Sequence, residues 1–264
     1  MTRPSRPQIV LTVLETERVS PELIRVVAGG PGFADFTDNG FTDRYVKILF
    51  ADPAHGLEPP YDLAALRTES PEKLPSVRTY TIRWVDTENE RLAIDFVVHG
   101  DEGVAGPWAA RAQPGDRIVF SGPGGAYSPA DDTDWHLLVG DHSALPAISS
   151  AVDALPADAV GDVIVFTPDP ADALDLSVPA GVTVRWLHGD PDSLTDAVRE
   201  LTWRDGTPFA FVHGEREAIK GLRRHLTDDR GLTRDRLSIS AYWARGRAED
   251  QFQAEKREPI GQIE

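Results

Sequence analysis

The sequence predicts a two-domain β plus α/β protein: an antiparallel six-stranded β-barrel over residues 1–129, then an α/β domain with a parallel sheet over residues 130–264. Three observations carry this. The first half contains about six short strand-like runs separated by turn signals. From Trp135 the rhythm changes to apolar strands alternating with amphipathic helices, the pattern of a parallel sheet with crossovers. Around Tyr127–Thr133, where the rhythm switches, Gly, Pro and Asp cluster as they do in linkers. A length of 264 residues is enough for two modest cores.

Taken in order, Gln8–Glu15, Leu23–Ala28, Arg44–Ala51, Val77–Val85, Leu92–His99 and Asp116–Ser121 read as strands. Six short strands in one unit suggest closure into a barrel. Residues 52–75 are rich in Pro and acid and read as a long surface loop with one helical turn. In the second half, His136–Gly140, Asp162–Thr167, Val182–Leu187, Pro208–His213 and Leu237–Ala241 read as strands. Ala144–Ala154, Ser193–Leu201 and Glu215–Leu226 read as helices, giving a Rossmann-like order. The charged tail from Arg247 reads as helical until Pro259 ends it.

Composition excludes several classes. Hydrophobic content of 41% and charged content of 27% are those of a globular chain. No apolar run approaches a membrane span, and no apolar segment follows the two arginines of the first ten residues. The expected location is therefore cytoplasmic. There is no cysteine, which removes disulfides, thiol nucleophiles and a conventional iron–sulfur cluster. Any electron carrier must then be organic. Seven histidines show no compact ligand spacing, so no built-in metal site is expected. Net charge is −16: residues 1–128 hold 13 basic and 18 acidic side chains, residues 129–264 hold 14 and 25. That balance argues against nucleic acid as a partner.

Two segments stand out. R-T-Y-T-I-R (Arg78 to Arg83) reads as a strand, so Arg78 and Tyr80 share a face. A cation beside a flat aromatic suits a ligand with both a phosphate and a flat ring. H-G-D-E-G-V-A-G-P-W (His99 to Trp108) follows, with three glycines that let the main chain approach something closely, as a pyrophosphate requires. The plainer reading is a barrel strand with an exposed Arg and a packed Tyr, then an ordinary turn. Further on, G-D-H-S-A-L-P-A-I (Gly140 to Ile148) places a glycine turn between a strand and a helix, where an anion is favoured. Leu145 stands where a nucleophile elbow needs its second glycine, so a Ser143 hydrolase is not expected.

Together with R-Y-V-K-I-L-F (Arg44 to Phe50), P-G-D (Pro114 to Asp116), S-G-P-G-G-A-Y (Ser121 to Tyr127) and Y-W-A-R-G (Tyr242 to Gly246), these segments follow a known order. The chain resembles the siderophore-interacting proteins, FAD-dependent ferric-siderophore reductases related to the ferredoxin–NADP reductase superfamily. The resemblance spans nearly the whole sequence. It implies that Arg78 binds a flavin phosphate, that Tyr80 lies against the isoalloxazine, and that Thr81 sits near its N5. Arg83 belongs to the same run. His99, Gly103, Ala105, Gly106 and Trp108 are implied at the pyrophosphate and adenine end. Val104 replaces a common proline and Pro107 precedes the tryptophan, and Trp108 reads equally as a core aromatic.

On the nicotinamide side the resemblance implies Asp141, Ser143, Gly214 and Glu215, with Tyr242 and Trp243 closing over the flavin. Glu215 also reads as a favourable charge at a helix N-terminus. Asp169 and Asp172 follow a strand with no cation beside them, which favours NADH over NADPH unless Arg216 or Arg223 supplies a charge. Lys47, one of four lysines, and Arg245 and Arg247 are the implied acceptor contacts; the two arginines read equally as solvated surface cations. The expected function is NAD(P)H-dependent reduction of a ferric siderophore through FAD, with a ferredoxin as a possible alternative donor. A flavin or quinone reductase and a non-catalytic siderophore-binding protein are the alternatives.

Overall fold

Alternation decides the first unit. Ile9, Leu11 and Val13 point inward from β1 (Ile9–Ser20), and the intervening residues are more exposed. The computed structural model describes residues 7–101 and 103–263. The first six residues, part of the segment read as lacking a leader, lie outside the described residues, as do Glu102 of the glycine-rich segment and Glu264. The other strands are β2 (Leu23–Gly29), β3 (Tyr45–Phe50), β4 (Ser76–Asp86), β5 (Arg91–Val97) and β6 (Arg117–Gly124). They close an antiparallel barrel in the order β1-β2-β5-β4-β3-β6. Val46, Ile48, Ile82, Ile94, Phe96 and Phe120 fill its interior.

Two helices belong to this unit. Helix α1 (Leu63–Glu69) lies in the long loop, and the Asp62 carboxylate caps it by accepting from the Ala64 and Ala65 amides. Helix α2 (Ala105–Arg111) takes in the last four residues of the segment from His99 to Trp108, expected to be an open glycine-rich turn. Pro107 is tolerated there because it sits in the first turn, where an amide has no partner within the helix. Ala105, Pro107 and Ala109 are buried, so α2 is held by packing rather than by propensity.

The second unit is a five-stranded parallel sheet in the order β11-β10-β7-β8-β9. Its strands are β7 (Trp135–Asp141), β8 (Val160–Phe166), β9 (Gly181–Leu187), β10 (Pro208–Glu215) and β11 (Leu237–Trp243). Every residue of β7 is buried, which explains the apolar run of Leu137, Leu138 and Val139 at the sheet centre. Helices α3 (Leu145–Asp153), α4 (Ser193–Arg199), α5 (Arg216–Arg224) and α6 (Glu249–Glu255) accompany it. The α4 and α5 side chains Leu194, Val198, Ile219 and Leu222 pack against β7, β8 and β10. Helix α5 starts one residue later than expected, and a π-helical turn, His225–Asp229, follows it.

The first unit comprises residues up to Gly40 together with Arg44–Gly125; the second comprises Phe41–Asp43 and the chain from Ala126 onward. Hydrogen bonds explain why three residues join the later unit. The Asp43 carboxylate accepts from the Ala126 and Tyr127 amides, and Thr42 donates to the Tyr127 carbonyl through both its amide and its hydroxyl.

Candidate functional site

In the barrel, cross-strand register sorts the residues by face. Tyr80 stands opposite Val46 and Arg78 opposite Ile48, so both share the face of two core residues. Thr81 stands opposite Tyr45, and Thr79 opposite Lys47, on the other face. The Tyr80 ring is half-buried, with its centroid 4.5 Å from that of Phe96. Trp108 meets the same Phe96 ring at 5.6 Å and Phe50 at 5.5 Å. Phe96 thus joins Tyr80 to Trp108, a link that no local sequence pattern signals. Trp108, on α2, is partly buried and packs against the barrel core.

Thr81 is buried. Arg83 lies at a bulge, where β4 advances from Ile82 to Trp84 while β5 moves one residue from Ile94 to Ala93. Lys47 is exposed and makes no ion pair among the described residues. The glycines divide into two kinds. Gly100 and Gly103 are exposed, with φ of 62° and 82°, and a side chain added at either would meet nothing within 4 Å. Gly106 is different, because a Cβ there would lie 3.3 Å from the Val97 carbonyl oxygen. It is small so that α2 can lie against β5. His99 is exposed beside Gly100, and Ala105 is the first residue of α2.

These residues fit FAD. A guanidinium and a half-buried phenol share one face of β4, and two left-handed glycines leave main chain open nearby in sequence. A guanidinium forks onto phosphate oxygens and a phenol stacks on a flat heterocycle.

In the second unit the buried carboxylate of Asp141 gathers three strand ends. Its Oδ1 accepts from the Ser143 amide at 2.9 Å and the Ser143 hydroxyl at 2.5 Å. Its Oδ2 accepts from the Glu215 amide at 2.7 Å and the Trp243 indole at 2.8 Å. Burial pushes the Asp141 pKa up, and the Ser143 and Trp243 hydrogen bonds oppose that rise. Gly214 exists for the same reason: a Cβ would sit 2.6 Å from Asp141 Oδ2.

Glu215 caps α5, accepting from the Glu217 and Ala218 amides on Oε2, while Oε1 accepts from the Arg245 amide at 3.0 Å. Its side chain is therefore occupied in holding the turn. Asp169 caps a short 3₁₀ turn through the Ala171 amide. Arg216 is buried against Glu255 at 2.5 Å, and Arg247 reaches the other Glu255 oxygen at 2.7 Å. Arg245 is exposed and makes no ion pair among the described residues. Tyr242 lies 4.9 Å from the His213 ring, and Trp243 is 39% exposed.

A closed six-stranded barrel followed by a five-stranded parallel sheet is a ferredoxin-reductase-like fold, and its first unit matches an FAD-binding domain family, which defines a two-domain flavoprotein. The model of the siderophore-interacting FAD-binding domain matches residues 12–127, and that of the siderophore-interacting protein matches residues 133–246. The chain belongs to the siderophore-interacting protein family. It is 32% identical to the ferric vibriobactin reductase ViuB of Vibrio cholerae, over 94% of this chain and 93% of that one. It is also 32% identical to an NADPH-dependent ferric-chelate reductase of Escherichia coli, over 88% and 91%. The crystal structure of the siderophore-interacting protein SipS from Aeromonas hydrophila superposes with a TM-score of 0.82 at 32% identity, covering 98% of this chain and all of that one. Among the described residues no helix is long and apolar enough to cross a membrane.

Proposed function

We propose that this chain is an NAD(P)H-dependent, FAD-containing reductase that converts siderophore-bound Fe(III) to Fe(II) and so releases the iron. The observation that carries the reading is the placement of Arg78 and Tyr80 side by side on one face of β4, next to Thr81. Bound FAD would supply the conversion of a two-electron donor into single electrons for ferric iron. Arg78 would hold its phosphate, Tyr80 its ring, and the open main chain at Gly100 and Gly103 its pyrophosphate. Thr81, Arg83, His99 and Trp108 complete the proposed set.

The turn from Gly140 to Ser143 at the head of α3 would receive the nicotinamide nucleotide, with Asp169 toward a ribose. Arg216 is paired with Glu255 and so is not available to a 2′-phosphate, which leaves Arg223 as the cation on which the choice of NADPH over NADH would depend. Lys47 in the first unit, and separately Arg245 in the second, are the cations proposed for contact with an anionic chelate. No proton donor is required of the protein. Anionic oxygen ligands hold the more highly charged Fe(III) better than Fe(II), so reduction itself loosens the complex.

The test is anaerobic: FAD-loaded protein, a ferric siderophore, a strong Fe(II)-trapping chelator, and NADH or NADPH in parallel. Trapped Fe(II) with either nucleotide, weakened in Lys47→Ala, is the expected result. Iron reduced only by chemically reduced flavin would overturn the nicotinamide assignment. Iron left ferric even then would overturn the siderophore reading.

A further inference from the structure

The loop after β11 presents an exposed indole on a fixed support. Trp243 is 39% exposed, yet its N–H is held at 2.8 Å by Asp141, a carboxylate only 6% exposed. The residues that follow are tied down as firmly. Ala244 is buried against Ala241 and Phe252, the Arg245 amide donates to Glu215 Oε1, and the Arg247 amide donates to the Ala244 carbonyl. Gly246, with φ of 70°, allows that turn. The Arg247 guanidinium is engaged by Glu255, whereas the Arg245 guanidinium makes no ion pair among the described residues. The result is a rigid aromatic surface with an available cation two residues away, in a chain of net charge −16.

The geometry points to Trp243 as a stacking platform that selects ferric chelates bearing anionic aryl groups, of the catecholate kind, over chelates without an aromatic ring. This rests on the ferric-siderophore reading above and names the substrate class of its site. Three arguments support it. An indole held by a buried hydrogen bond loses little side-chain freedom when a ring stacks on it. Offset stacking adds to area burial, and a neighbouring guanidinium favours an anionic ring. A reduced nicotinamide ring is neutral and gains little from Arg245, whereas an anionic ring is attracted to it. A hydroxamate offers no ring to the indole.

The test uses redox-inert gallium(III) complexes and FAD-loaded protein in equilibrium dialysis. Gallium tris-catecholate is anionic with rings, gallium citrate anionic without them, and gallium tris-acetohydroxamate neutral without them. The catecholate-to-citrate affinity ratio is expected to fall roughly two- to tenfold in Trp243→Leu and to be kept in Trp243→Phe. A ratio near one in the unmodified protein, or one that does not move in Trp243→Leu, overturns the platform. So does a raised KM for NADH with an unmoved ratio, which would give the indole to the nicotinamide. The unmodified protein alone decides the first of these outcomes even if Trp243→Leu does not fold. Fe(II) trapping on the matching iron complexes separates the two readings. A shifted ratio with no iron reduced leaves the platform and removes the reductase, and the reverse leaves the reductase and removes the platform.

Discussion

His213 on β10 is buried with its ring centroid 3.9 Å from that of Phe211 and 4.9 Å from that of Tyr242. Its Nε2 lies 3.0 Å from the Ser238 hydroxyl, while Nδ1 is buried with no partner. Burial pushes the pKa down to about 3; the charge of Lys256 adds to that, and the hydrogen bond with Ser238 opposes it. In the unfolded chain a histidine titrates near 6.5. Between these values the unfolded state binds a proton that the folded state refuses. Stability from this group is therefore complete above pH 6.5 and is lost as pH falls toward 3. From about pH 7 to about pH 5 the loss is about 2 kcal/mol. It is set mainly by the unfolded value, because pH 5 still lies well above the folded one. The assay is urea unfolding across that range on the natural protein and on His213→Phe, which keeps a ring in the stack and cannot titrate. His136, also pushed down by burial, is present in both and cancels in the difference. Parallel pH profiles for the two proteins would refute the neutral, buried imidazole.

Three more outcomes are expected. Gly214→Ala brings a Cβ within 2.6 Å of Asp141 Oδ2 and should cost roughly 1–3 kcal/mol in urea unfolding; no change would mean that the β10 turn adapts. Arg25→Ala strands Asp95, whose two oxygens receive Arg25 at 2.7 and 2.8 Å inside the barrel wall, and should cost about 3–5 kcal/mol. The apolar double variant Arg25→Met with Asp95→Leu should recover most of that loss, since no buried charge is then left unpaired. Arg78→Ala should weaken FAD binding roughly ten- to hundredfold, read by titrating apoprotein and following flavin fluorescence. An unchanged affinity would remove Arg78 from the phosphate.

The barrel was legible because its faces alternate. Ile9, Leu11 and Val13 announce an inward row, and Tyr80 two residues after Arg78 announces a shared face. The second sheet was legible because apolar runs, such as Leu137, Leu138 and Val139 of its central strand, alternate with helical segments. Helix α2 was hidden by its own composition, since two of its first three residues are Gly106 and Pro107, and only burial of Ala105 and Ala109 makes it a helix. Glycine was ambiguous for the same reason. Gly103 is open main chain, whereas Gly106 and Gly214 are small because Val97 and Asp141 press against them. Sequence pattern marks where a glycine is placed and says nothing of what stands opposite. The bond from Trp243 to Asp141 spans 102 positions and depends on the sheet order β11-β10-β7, which no local pattern encodes.

The acidity of the second half acquires a second meaning from these contacts. Asp141, Glu215 and Glu255 are all buried, and none serves solubility. Asp141 holds the ends of β10 and β11 together, Glu215 holds α5 and the Arg245 amide, and Glu255 holds Arg216 and Arg247. Each carboxylate fixes one part of the edge at which Trp243 emerges. Buried charges of this kind are costly unless fully paired, so they add little net stability and much definition of geometry. If a chelate stacks on Trp243 as proposed, it gains affinity only from groups already held in place, because ordering them on binding would consume the small energy that stacking and one ion contact provide.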